Sequence, residues 1–200
     1  MQKYNPSIHG RRSIRLKGYD YAQAGLYFIT ICVQDRECLF GRVKNDAMEL
    51  SEAGEMIKKW YHELENKFSD TKCDEMVIMP NHIHFIIENV GTNNVGANLC
   101  VRPNNSNNNQ ILHEQTDILG VEGEHIGSPL HRIIQWFKTM TTNEYIRQTK
   151  NANWPRFNGR LWQRNYYEHI VRDEIAYQHI GNYIRNNPAH WQKDKFYTLF

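Results

Sequence analysis

His82 and His84 stand one residue apart in the stretch MPNHIHFIIENV, Met79 to Val90. Alternate side chains of an extended chain share a face, so these imidazoles are neighbours, with Ile86 beyond them. The other face, Ile83, Phe85 and Ile87, is wholly apolar and belongs in a core. Two imidazoles on one strand face have two uses. They can be a hydrogen-bonded pair on a half-exposed sheet, or two ligands of a metal ion, imidazole being the commonest metal-ligating side chain. A metal that does chemistry needs a third ligand and an open position. No HExxH, nearby DxD or CxxC supplies that ligand. The last helical segment offers candidates. In NYIRNNPAHW, Tyr183 and Asn187 are four residues apart and share a helical face. The amide oxygen of Asn187 can ligate a cation. The phenol of Tyr183 becomes a nucleophile when a metal or base assists it. Taken alone, Tyr183 reads better as a core residue, and Asn187-Pro188 as a helix stop.

These residues need elements to hold them. GLYFITICV (25–33) is β-branched and aromatic and reads as a strand; QDRE is a turn and CLFGRV (38–43) a second strand, so 25–43 reads as a hairpin. ELSEAGEMIKKWYHELENKF (49–68) carries Met56, Ile57, Trp60, Tyr61 and Leu64 at helical spacing, with Ser51 as its cap. CDEMVIMP (73–80) and HIHFIIENV (82–90) read as two strands joined at Pro80-Asn81. Residues 89–127 change character: nine of these 39 positions are asparagine, so the segment buries little apolar surface and reads as a flexible insert, 91–127. Helix resumes at SPLHRIIQWFKTMTTNEYIRQT (128–149), with Ser128 as cap and Pro129 at the first helical position. LWQRNYYEHIV (161–171) reads as a fifth strand and 172–186 as a closing helix that stops near Pro188. Short links between adjacent strands argue for an antiparallel sheet of about five strands, with helices over one or both faces. That is an α+β fold.

The 200 residues suffice for one domain with a sizeable core, or a domain plus an insert. No apolar run approaches the roughly 20 residues of a membrane span. The first twenty residues lack an apolar signal core, which reads as cytoplasmic and predicts no membrane partner. Cys32, Cys38, Cys73 and Cys100 form no CxxC pair and read as reduced thiols. Net charge is only +2, but it is unevenly placed: +4 over residues 1–20, −8 over 21–127 and +6 over 128–165. Two basic segments around an acidic middle either form a phosphate-binding face or are solvated surface.

Other residues compete for the roles above. Tyr166 and Tyr167 are adjacent on the fifth strand, so at most one faces the histidines. Tyr177 lies six residues before Tyr183, about 120° around the helix. Packing or base stacking suits these three better than nucleophilic attack. His131, His169, His179 and His190 read as surface or packing histidines.

In order along the chain, RRSIRLKGYDY, YFITICVQDR followed by FG, MPNHIHFII, SPLHRIIQWFKTMTT, LWQRNYYEHIVRDE and YIRNNP make it resemble the REP-associated tyrosine transposases. These fall within the single-tyrosine HUH transposases of small bacterial insertion sequences. The resemblance covers nearly everything except 89–127. It implies one ferredoxin-like HUH domain across 1–200, with a basic arm at 1–24. It implies His82 and His84 as metal ligands, Asn187 as the third ligand, Tyr183 as the nucleophile, and Mg²⁺ or Mn²⁺ as the divalent cation. The implied activity is cleavage and joining of single-stranded DNA at hairpin-forming repeats through a 5′-phosphotyrosine. Arg11, Arg12, Arg15 and Lys17 of the arm, and Arg132, Lys138, Arg160 and Arg164 among tryptophans of the second basic segment, would contact DNA. Relatives include monomers and a homodimer that exchanges the tyrosine helix, so oligomeric state stays open. The competing readings are a domesticated hairpin-binding protein, a rolling-circle-type HUH nickase, and a metal-dependent nuclease without a covalent intermediate.

Overall fold

The computed structural model describes residues 24–91 and 129–198. The arm with Arg11, Arg12, Arg15 and Lys17, and nearly all of the asparagine-rich insert, lie outside the described residues.

Strands β1 (Gly25–Cys32), β4 (Thr71–Met79), β5 (His82–Asn89) and β6 (Tyr167–Val171) form an antiparallel sheet in the order β4-β5-β1-β6. Between them run helices α1 (Glu52–Lys67) and α2 (Pro129–Asn151), and α3 (Glu174–Asn186) follows β6. Four sheet strands and two crossing helices in this order make the split βαβ arrangement of a ferredoxin-like fold. The architecture is therefore α+β, as the alternation of segments predicts.

Several expectations need correction. The main sheet has four strands, not about five. Residues 38–43 do not pair with β1; instead β2 (Gly41–Lys44) and β3 (Ala47–Leu50) form their own ribbon. The cause is local. Asn45 and Asp46 both take positive φ, 50° and 59°, the geometry of a tight two-residue hairpin turn. The first turn of the expected 49–68 helix is thereby spent as strand, and α1 starts after Ser51, whose hydroxyl accepts from Gly54 N. The fifth segment is also shorter as a strand than 161–171. Trp162 makes only an isolated bridge with Val33, and Leu161 and Trp162 are buried in the main core rather than paired along an edge.

The sheet is covered on both faces. Tyr27, Ile29 and Ile31 of β1 and Ile83, Phe85 and Ile87 of β5 pack with Ile57, Tyr61 and Leu64 of α1 and Ile133, Ile134 and Phe137 of α2. On the other face Phe28, Ile86 and Val171 pack with Ile184 of α3. The apolar side of HIHFII thus builds the main core, which leaves the histidine side under α3. Cys32, Cys38 and Cys73 are free thiols. Among the described residues no helix is long and apolar enough to cross a membrane.

Tyr61 holds the β4–β5 pair together where its register slips between Cys73 and Met76. Its hydroxyl donates to Ile86 O at 2.8 Å and accepts from Asp74 N at 2.9 Å. Tyr61→Phe leaves both backbone groups without that partner and is expected to cost about 1–3 kcal/mol. Urea unfolding should show a lower midpoint with an unchanged slope.

Candidate active site

The register of the sheet sets the site. His82 stands opposite Cys32 and His84 opposite Thr30; Thr30 also faces Tyr167 on β6. The side chains of His82, His84 and Thr30 project towards α3. Asp173 caps that helix by accepting from Ala176 N at 2.7 Å. Glu75 of β4 pairs with Arg185, which ties the helix to the sheet. Tyr183 consequently lies over His84, with its hydroxyl 3.1 Å from Nε2. Asn187, at the C-terminal end of α3, is buried, and its side chain hydrogen-bonds the Tyr183 hydroxyl. The structure therefore brings together His82, His84, Tyr183 and Asn187. Phe28 floors the group, stacked on His84 at 5.4 Å and edge-on to Tyr183 at 6.1 Å. A cavity of about 840 Å³ opens beside them, bordered by Thr30, Tyr167, His169 and Lys193.

The hydrogen bonds fix the tautomer of His82. The Nδ2 of Asn81 donates to Phe196 O at 2.8 Å and Arg36 O at 3.2 Å. Its Oδ1 is then the atom 2.8 Å from His82 Nδ1, which must carry the proton. His82 Nε2 is left as a bare lone pair, buried and without a partner. On His84, Nδ1 lies 2.8 Å from Thr30 Oγ1, while Nε2 faces Tyr183. Both imidazoles thus have one nitrogen held from behind and the other turned into the site, the arrangement of metal-ligating histidines.

An acid completes the cluster. His82, His84 and Asp194 each offer a ligand atom, all within 4.8 Å of one another. Asn187 Oδ1 is a further oxygen, itself buried, with no hydrogen-bond donor aimed at it from the rest of the core. Two neutral imidazoles and one or two oxygen donors fit a divalent cation. Nothing in the sequence points to Asp194, because it follows a short 3₁₀ helix (Pro188–Lys193) in a tail with no spacing that ties it to the histidines. That tail also places Phe196 on His82 at 4.6 Å and Trp191 at 5.9 Å, which buries the imidazole completely.

Burial pushes His82 well below the ordinary histidine range, aided by His84, Lys195 and Arg36. Burial and Lys195 push His84 down to about 3. Burial, then Asp194, raises the Tyr183 phenol, against which the Asn187 hydrogen bond lowers it. The unfolded chain binds protons on both histidines near pH 6.5, whereas the folded chain does not. In metal-free protein this stability is complete above about pH 6.5 and is lost as pH falls towards the folded values. The double variant His82→Gln, His84→Gln is expected to lose less stability than the parent between about pH 6.5 and 5, as read by thermal unfolding in chelator.

The basic residues of the second segment divide. Arg132 is exposed on α2 and borders neither large cavity, whereas Lys138, Arg160 and Arg164 border a second cavity between α2 and residues 159–166. Of the competing tyrosines, Tyr167 borders the histidine cavity from β6, and Tyr177 packs on α3 against the smaller apolar cluster.

No family model matches the chain. It is 41% identical over 199 residues to an "Uncharacterized protein" of Haemophilus influenzae, covering 98% of each. It is 22% identical over 180 residues to a "Putative REP-associated tyrosine transposase" of the same organism, covering 85% of this chain and 73% of that protein. A solved structure described as a REP associates tyrosine transposase bound to a REP hairpin aligns with TM-score 0.43 and 17% identity, over 94% of this chain and 73% of that one. The chain belongs to one family with the Haemophilus protein that it matches over 98% of both sequences, and it is similar in sequence to the REP-associated tyrosine transposases.

Proposed function

We propose that the protein is a metal-dependent HUH transposase that cuts and rejoins single-stranded DNA at hairpin-forming repeats, with Tyr183 as the nucleophile. The observation that carries this reading is the Tyr183 hydroxyl, on a residue 43% exposed, poised 3.1 Å from one of two adjacent imidazoles whose ring nitrogens turn into the site. The name of the related Haemophilus transposase agrees with it.

His82, His84 and Asp194 would hold a divalent cation, Mg²⁺ or Mn²⁺, with Asn187 Oδ1 as a further donor. Bound there, the cation would offset charge on the non-bridging oxygens of the scissile phosphate. His84 Nε2 faces the Tyr183 hydroxyl at 3.1 Å. As a metal ligand His84 would no longer be the phenol's partner, and the Asn187 side chain, the phenol's other contact, favours the phenolate. The Tyr183 oxygen, its proton given up to solvent, then attacks phosphorus. A phosphotyrosine bond forms on the 5′ side, the bond to O3′ breaks, and the 3′-oxygen leaves as a hydroxyl on taking a proton. One phosphodiester replaces another, so rejoining requires no nucleotide cofactor.

The test is a hairpin oligonucleotide with its single-stranded flank, taken from beside the gene and labelled on the 3′ side of its cleavage point. With Mn²⁺ the label is expected to migrate with the protein on a denaturing gel, and EDTA should abolish this. Hairpin binding with no cleavage in any divalent cation would favour a domesticated DNA-binding role instead.

A further inference from the structure

The second cavity, about 700 Å³, lies on the far side of β6 from Tyr183. Its lining includes Lys138, Arg160 and Arg164 and no aspartate or glutamate. The Lys138 ammonium is half-buried and donates to Gln163 O at 2.6 Å and Arg164 O at 3.0 Å. It therefore fixes the loop that presents both arginines, which are exposed. Burial, then the charge of Arg160, push its pKa down to about 8. The rings of His131 and Tyr166 stack along the same wall, 6.5 Å apart and inclined by 25°.

Tyr166 and Tyr167 connect the two cavities. They are consecutive in extended chain, so they point to opposite sides. Tyr166 lines the second cavity and Tyr167 the first. β6 is an outer strand of the sheet, with β1 as its one neighbour among the described residues. A chain leaving the Tyr183 site past Tyr167 therefore meets the second cavity by rounding a single strand edge.

We propose that this second cavity binds a nucleotide of the single-stranded DNA that flanks the cleaved phosphate, with its phosphates on Arg160 and Arg164 and its base against the His131–Tyr166 pair. The inference rests on the reading of the Tyr183 site as a DNA-cleaving one. Its volume is that of a pocket for one small ligand, which suits one splayed nucleotide and not the convex side of a duplex. Stacking on an aromatic wall requires an unpaired base, and three cations without an acid suit phosphate.

The test uses the full chain in EDTA with a fluorescent single-stranded oligonucleotide, its affinity followed by anisotropy across a salt series. Arg160→Glu with Arg164→Glu changes two exposed side chains outside the Tyr183 site. Affinity is expected to fall at least tenfold, and the salt slope by roughly 0.7 for each phosphate no longer neutralised. A 5-iodouracil version of the oligonucleotide should crosslink to the peptide holding Tyr166 or His131. Unchanged affinity and slope in the double variant, with crosslinks confined to the Tyr183 side, overturn the proposal. The two readings fail separately. A parent chain that forms no covalent adduct with Mn²⁺, yet still binds the strand through the arginines, removes the nucleophile and keeps the cavity.

Discussion

Tyr183→Phe is expected to abolish both cleavage and the covalent adduct, a loss of at least about 10³-fold, the scale seen when a nucleophile is deleted. Binding of the hairpin should be unchanged, because the phenyl ring and its edge-on contact with Phe28 remain. Stability should move by no more than about 1 kcal/mol, since the deleted hydroxyl belongs to a residue 43% exposed. The size of the effect follows from the chemistry. At pH 7 an ordinary phenol is about 0.1% ionised, and burial with Asp194 raises the pKa of this one, so still less of it is phenolate. The site must therefore supply the stabilisation of the oxyanion, and no neighbouring side chain replaces the oxygen itself. Tyr167 also borders the cavity, but it is an exposed ring on β6 that meets Phe28 rather than the histidines. Its replacement by phenylalanine should leave the adduct intact.

The second large effect concerns the metal. His82→Gln is expected to weaken Mn²⁺ binding by more than the roughly 10–100-fold that loss of a supporting residue costs. Titration followed by the electron paramagnetic resonance of free Mn²⁺ checks this without reference to activity. The reason is the buried Nε2 lone pair, which has no partner in the folded chain and is aimed by Asn81 from behind. Asp194→Asn should weaken binding more than Asn187→Ala, because the carboxylate brings the cluster its formal negative charge. Equal Mn²⁺ affinity in parent and His82→Gln would remove the metal from this site.

Much of this is legible in HIHFII, where alternation separates a core face from a histidine face. The i, i+4 spacing of Tyr183 and Asn187 puts both on one side of a helix. What the sequence hides is register. Thr30 supports His84 only because β1 pairs with β5 so that the two stand opposite. Asn81 reads as turn material until its amide is seen bridging Arg36, Phe196 and His82. Asp194 reaches the histidines through a tail that follows no periodic element, so no pattern could point to it. The ribbon of β2 and β3 is hidden for a different reason. Its turn is Asn45-Asp46, which lacks the glycine that usually marks a hairpin with positive φ at both positions.

In the proposed reaction one atom, the Tyr183 oxygen, becomes bonded to DNA. Protease digestion of the Mn²⁺-dependent adduct, followed by nuclease trimming and tandem mass spectrometry, reads that bond directly. A single nucleotide-bearing peptide is expected, with the phosphate on Tyr183. A phosphate on Tyr167, or cleaved DNA with no modified peptide at all, would contradict the proposed reaction.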